Sequence, residues 1–220
     1  MRLTLSHRFI SFKKAISKQQ LWICLGILVP FILLSIRFHF QEDLLLDQIL
    51  IQVPHQIFPR SWDDIFRFFY LLTGVKGTAV IIAITLGFLV WKCCWIEAKV
   101  LAFSTLGILI LVDDILKPLI SRSRPPDRLV ESVGRSFPSG HATGNVLFYF
   151  FMAYLLAERY PKWTPYIYGL ATLWVLIIGF SSVYLRCHWP SDILAGYGLG
   201  YISLTFSLAW LKISREQVKR

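Results

Sequence analysis

Six apolar stretches divide this chain of 220 residues, at about 21–38, 71–91, 100–116, 142–156, 165–185 and 193–211. A helix needs roughly 20 apolar residues to cross the hydrocarbon of a bilayer. The fourth stretch is short and could begin inside the polar motif that precedes it. The pattern predicts an all-α fold, a polytopic bundle of six transmembrane helices. The connections other than 41–70 are too short to fold alone, so residues 1–220 read as a single domain. Composition agrees: 55% of residues are hydrophobic and 16% are charged, which is too apolar for an ordinary soluble domain.

The net charge of +10 invites a nucleic-acid partner, but the distribution argues against one. Thirteen of the 23 Lys and Arg fall on one side of the predicted membrane, nine on the other, and Lys76 lies within the second stretch. The richer side holds Arg2, Arg8, Lys13, Lys14 and Lys18 at the start and Lys212, Arg215, Lys219 and Arg220 at the end. The positive-inside rule then places both ends in the cytoplasm. Stretch 21–38 is too long for the core of a cleavable signal, and no small-x-small site follows it, so it reads as an uncleaved first span. The compact loops and basic ends fit a bacterial inner-membrane protein. Oligomeric state is not legible.

Residues 41–70 join the first two stretches on the outer side. Leu44, Leu45, Ile49, Leu50 and Val53 are spaced like one face of a helix, followed by Pro54, Pro59 and the aromatic run Phe66, Phe68, Phe69 and Tyr70. This is an interfacial amphipathic segment that helps form a lipid entrance, or a cover packed over the bundle. The cysteines form no disulfide framework. Cys24 lies in a span, Cys93-Cys94 read as small apolar residues or lipidation sites at the cytoplasmic end of the second span, and Cys187 has no assigned role. Gly196-x-x-x-Gly200 in the last span reads as a helix-packing pattern.

Three short polar stretches lie at the ends of the apolar ones, all on the outer side. In the first, Lys117 closes the third span, Arg124-Pro125 follows seven residues on, and Pro118 and Pro125 restrict the backbone. Two cations at a helix exit can converge on one anion, arginine as a bidentate fork and lysine as a point charge. Asp113 and Asp114 stand where either could pair with Lys117. The same cations would also suit snorkelling or headgroup contact at a membrane edge.

The second stretch is Pro138-Ser139-Gly140-His141. Ser139 is a good helix N-cap, and Gly140 lets a ligand approach the backbone. The free N–H groups of the first turn point at an anion, and His141 stands beside it, able to protonate a leaving oxygen. The third holds Ser181-Ser182, Arg186, His188, Pro190, Ser191 and Asp192, with Pro190 suited to the first turn of a helix and Ser191 to its cap region. His188 and Asp192 are four apart. That spacing lets the carboxylate take a hydrogen bond from one ring nitrogen and leaves the other as a nucleophile. A structural His–Asp contact at a helix end fits the spacing as well.

Taken in order, Lys-x6-Arg-Pro, Pro-Ser-Gly-His and Ser-x6-His-x3-Asp closely resemble the motifs of the type 2 phosphatidic acid phosphatase (lipid phosphate phosphatase) superfamily. The motifs cover about residues 113–198. The resemblance implies a metal-independent, cofactor-free reaction through a phosphohistidine. His188 would be the nucleophile, Asp192 its orienting residue and His141 the general acid; Lys117, Arg124, Ser139 and Gly140 would bind phosphate. One position departs: the family's third motif begins Ser-Arg, and here Ser182 stands at the arginine. Arg186, one helical turn along if the helix persists, is expected to supply that guanidinium, so Arg186→Ala should lose most activity and Ser182→Ala little.

The implied activity is hydrolysis of a lipid phosphate or pyrophosphate on the extracytoplasmic face. Undecaprenyl pyrophosphate, phosphatidylglycerophosphate, phosphatidic acid and lipid A phosphate are the candidate classes. A phosphotransferase with the same phosphohistidine, or a non-catalytic lipid-phosphate binder, are the alternatives. The binder would explain the cations but not two histidines with an aspartate in register.

Overall fold

The computed structural model describes residues 15–40 and 44–218, and every regular element among them is helical. Helix α1 spans Lys18–His39 and opens on a capping box. The Ser17 hydroxyl accepts the Gln20 N–H at 3.1 Å, and the Gln20 amide oxygen accepts the Ser17 N–H at 2.9 Å. Two short helices, α2 (Leu45–Leu50) and α3 (Val53–Ile57), lead through a 3-10 turn into α4 (Asp63–Leu72). Then come α5 (Val75–Trp91) and α6 (Trp95–Leu109), which continues through a π-helical turn, Ile110–Leu116, and a last α-turn, Lys117–Ile120. Helices α7 (Gly140–Arg159), α8 (Thr164–Tyr184) and α9 (Pro190–Val218) complete the chain.

The six apolar stretches fall on α1, α5, α6, α7, α8 and α9. Four helical units are long and apolar enough to cross a membrane: Lys18–His39, Trp95–Ile120, Pro161–Tyr184 and Pro190–Val218. This is an integral membrane protein. The fifth candidate is a broken one, Arg60–Leu72 with Lys76–Trp91, bent by 48°. Helix α7 does not reach the same apolarity by itself, because its first turns carry His141, Thr143 and Asn145. The basic residues up to Lys14, residues 41–43, and Lys219 and Arg220 lie outside the described residues.

Helix α9 is central, packing on α7, α6 and α1, while α7 also packs on α8. The glycine pattern makes the α7–α9 contact. A Cβ at Gly196 would lie 2.8 Å from both the Ala142 Cβ and the Ser139 carbonyl oxygen; at Gly200 it would lie 2.7 Å from the Val146 Cβ. Only glycine permits this approach, which sets the start of α9 against the start of α7. At the other end Arg215 ties the three helices, bonding Glu97 at 2.9 Å and Glu158 at 2.8 Å.

The segment between α1 and α5 packs over the bundle and leaves an apolar face outside. Helices α3 and α4 pack on α8, while Leu45, Leu46 and Ile49 of α2 face outward. Inverted against a soluble helix, α2 buries Asp47 and exposes its leucines, the arrangement that suits a lipid-facing element.

Candidate active site

The end of α6 brings in the first cation. Lys117 Nζ bonds Asp113 Oδ1 at 2.5 Å, one turn back along the π-helical stretch, while Asp114 is exposed. Beyond α6 the chain enters a loop that carries Arg124. Its guanidinium is clamped by carbonyl oxygens: Nε to Gly134 at 3.0 Å, Nη2 to Val133 at 3.1 Å and Nη1 to Cys187 at 2.6 Å. Burial lowers its pKa, Tyr70 and Cys187 opposing, yet an arginine remains charged.

His188 lies in the short turn between α8 and α9. The Ser182 carbonyl oxygen accepts the N–H of Cys187 at 3.0 Å and that of His188 at 3.3 Å, which closes the end of α8 and fixes the turn. The ring is nearly fully buried, at 1% exposure. Its Nδ1 faces Asp192 Oδ2 at 3.5 Å, and its Nε2 lies 3.2 Å from Arg124 Nη1. A guanidinium only donates, so Nε2 is the unprotonated nitrogen and the proton sits on Nδ1, toward the carboxylate. Burial pushes the imidazole down to about 4; the nearby Asp192 carboxylate opposes this, and Arg124 and Lys117 add to it. His188 is therefore neutral near pH 7, with its Nε2 lone pair directed at the Arg124 guanidinium.

Asp192 is held from all sides. It accepts the Trp189 N–H at 2.9 Å, reaching back across the first turn of α9, and it also accepts the Ser136 hydroxyl. Arg122 Nη1 bonds its Oδ1 at 2.6 Å. The other guanidinium nitrogen of Arg122 bonds Asp47 Oδ2 at 2.6 Å, and Asp47 also accepts the backbone N–H and the hydroxyl of Ser191, at 2.9 and 2.5 Å. The Arg122 guanidinium lies 3.6 Å from the centre of the Phe38 ring. Asp47, Arg122 and Asp192 are all buried. Charges this deep persist only when paired and hydrogen-bonded.

His141 opens α7, whose N-cap is Ser139; the Ser139 hydroxyl accepts the Ala142 N–H at 3.3 Å. The His141 ring stacks on Tyr70 with centroids 4.6 Å apart and lies 6.4 Å from the His188 ring. Its Nε2 is buried and has no hydrogen-bond partner in the protein. A Cβ on Gly140 would stand 3.6 Å from both Lys117 Nζ and Asp113 Oδ1, so the glycine keeps open the space beside the lysine.

Lys117, Arg124, Gly140, His141 and His188 line one cavity of about 450 Å³. The sequence-predicted Ser139 and Asp192 sit directly behind it, as cap and as support. Arg186 is placed elsewhere, which corrects the expectation that it supplies the missing guanidinium. Helix α8 ends at Tyr184 and Arg186 takes a left-handed φ of 55°, so the helix does not carry it one turn beyond Ser182. Its Nη2 bonds Gln52 at 2.7 Å, with Asp127 at 3.9 Å. Ser182 is buried, its hydroxyl bonded to the Ile178 carbonyl oxygen at 2.9 Å. All four cysteines are free; burial raises the Cys187 thiol. Sequence reasoning missed Asp47, Arg122, Ser136 and Tyr70, and their spacing carries no signal for a contact with the motifs.

The PAP2 superfamily model matches residues 97–216, more than half of the chain and all three polar stretches. The chain belongs to the PAP2 superfamily. Among its relatives, phosphatidylglycerophosphatase B of Bacillus subtilis is 36% identical over 114 residues, covering 50% of this chain and 54% of that one. An undecaprenyl-diphosphatase of Sulfolobus acidocaldarius is 32% identical over 104 residues, 42% of this chain and 45% of that one. This PAP2 chain thus spans about half the length of the curated relatives it matches. Its fold matches the crystal structure of a transmembrane PAP2 type phosphatidylglycerolphosphate phosphatase from Bacillus subtilis, with a TM-score of 0.77, 23% identity and coverage of 90% of this chain and 98% of that one.

Proposed function

We propose that this PAP2 protein is a membrane phosphatase that hydrolyses a lipid phosphate or pyrophosphate through a phosphohistidine. The observation that carries the reading is the pairing of His188 with its surroundings. Nε2 faces the cavity cations, Nδ1 faces Asp192, and the partnerless His141 Nε2 lies across the same space. Lys117, Arg124 and the N–H groups at the start of α7 neutralise the phosphoryl oxygens. The His188 Nε2 lone pair forms a bond to phosphorus as the bond to the leaving oxygen breaks. An anion in the cavity favours the imidazolium of His141, which gives its proton to that oxygen. Water then attacks the phosphohistidine, His141 takes the water's proton, and phosphate and free His188 are released.

The single domain extends over residues 1–220 and crosses the membrane six times, with α5, of 17 residues, as the short crossing and α7 as the one of lower apolarity. Both ends are cytoplasmic and the active site is extracytoplasmic, in a bacterial cytoplasmic membrane. The asymmetry of Lys and Arg supports that orientation. The reaction needs no metal or other cofactor. Purified protein in detergent with EDTA, given a panel of phosphatidylglycerophosphate, phosphatidic acid, polyprenyl diphosphate and lipid A, is expected to release phosphate from at least one. Release from none by folded protein, or activity only on adding a divalent cation, would contradict the reading.

A further inference from the structure

Part of the cavity lining is polar in an unusual way. Thr73, Thr78, Thr105, Thr143 and Asn145 all line it. Each threonine hydroxyl spends its proton on a backbone carbonyl oxygen: Thr73 to Phe69, Thr78 to Thr73, Thr105 to Leu101 and Thr143 to Ser139, each at 2.8 Å. Such back-bonding leaves the hydroxyl oxygens able only to accept. Asn145 behaves likewise. Its Nδ2 donates to the His141 carbonyl oxygen at 2.7 Å, which fixes the amide orientation, and its Oδ1 is buried with no partner in the protein. Asn145 is 2% exposed and lies one turn of α7 beyond His141. An orphaned buried acceptor is costly, so its natural partner is a donor that arrives with the ligand.

The cavity therefore presents the cations Lys117 and Arg124 together with a set of threonine and asparagine oxygens left to accept. A phosphate dianion fits the cations and offers no donor to those oxygens. An ammonium would meet Lys117 and Arg124 in the same cavity, so the fitting donor is a neutral hydroxyl. Resting on the phosphatase reading, we infer that the substrate is a lipid phosphate whose leaving group carries a hydroxyl close to the scissile ester, a polyol phosphate headgroup, and that Asn145 Oδ1 accepts from that hydroxyl. Polyprenyl diphosphates and phosphatidic acid offer no such donor.

A matched pair tests this without any mutation: dioleoyl phosphatidylglycerophosphate, and its analogue in which the headgroup glycerol is replaced by 1,3-propanediol. For the wild-type protein, kcat/KM is expected to be at least about tenfold higher for the hydroxylated member, since a site built to hydrogen-bond a hydroxyl rejects the analogue without it. In Asn145→Leu the ratio should collapse toward one; Thr105→Val, a near-isosteric change elsewhere in the lining, should reduce it less. Turnover of both members at equal kcat/KM would overturn the inference and leave the phosphatase reading standing. Turnover of neither, nor of any other lipid phosphate by folded protein, would overturn both.

Discussion

His188 and His141 share one cavity, yet the chain secures them very differently. His188 sits in a turn closed by the Ser182 carbonyl oxygen, backed by Asp192 and faced by Arg124, and Asp192 is in turn bonded by Arg122, Ser136 and the backbone of Trp189. His141 has a helix start beneath it and Tyr70 stacked on its ring, and nothing bonds its Nε2. The difference suits the two roles proposed for them. A nucleophile must aim one lone pair in one direction, so its tautomer and orientation are fixed in advance. An acid that later acts as a base must hand its proton to a leaving group and take another from water, so its outer nitrogen stays unpaired until the ligand arrives.

The contrast is open to attack at several points. His188→Ala should lower kcat by on the order of 10⁴-fold or more, because no other group can form the covalent intermediate. His141→Ala should cost less, roughly 10² to 10⁴-fold. Phosphate-release assays on the two variants compare them directly, and a larger loss for His141→Ala would break the contrast. The support behind His188 is expected to be expensive to cut. Arg122→Ala leaves Asp47 and Asp192 buried without their shared cation and should destabilise the protein by about 3–5 kcal/mol, read as a fall in thermal midpoint in detergent. Gly196→Ala drives a methyl against the Ser139 carbonyl oxygen and should cost about 1–3 kcal/mol. A thermal midpoint unchanged in either variant would mean that the α9 start is less constrained than its bonding implies.

Two smaller effects sharpen the account. The His188 imidazole titrates at about 4 rather than at its ordinary 6.5. A lowered value keeps the nucleophile neutral to lower pH, so its activity is present above about 4 and lost only below it. The acid limb of kcat/KM, which reports the free enzyme, should accordingly show no inflection near 6.5. The smallest effect belongs to Arg186→Ala, expected within about twofold of wild type, since its guanidinium bonds Gln52 rather than facing the cavity. A loss of most activity would restore Arg186 to the phosphate site.

The three polar stretches that meet in the cavity were legible in the sequence because their patterns are local. A cap, a glycine and a histidine in register, or a histidine and an aspartate one turn apart, announce themselves within a dozen residues. The apolar stretches likewise located the helices. The supporting shell was not legible. Asp47 and Arg122 are 75 residues apart, and Asp47 lies among leucines that read as an interfacial face. Only the fold reveals that α2 turns that face outward and sends its single carboxylate in. Arg186 misled for a related reason. Its role was extrapolated from an uninterrupted helix, and α8 stops two residues before it. The set of acceptors was hidden too, because a threonine in an apolar helix looks the same in sequence whether or not its hydroxyl faces a cavity.

The central claim is that His188 Nε2 becomes phosphorylated. Incubating the His141→Ala variant, in which hydrolysis of the intermediate should be slowed, with lipid labelled at the scissile phosphate and quenching in base tests it directly. The account predicts a label on His188 that survives base and is lost in acid, absent when His188 is also replaced. Label on another residue, or continued turnover by a His188→Ala protein at the rate of the wild type, would contradict it.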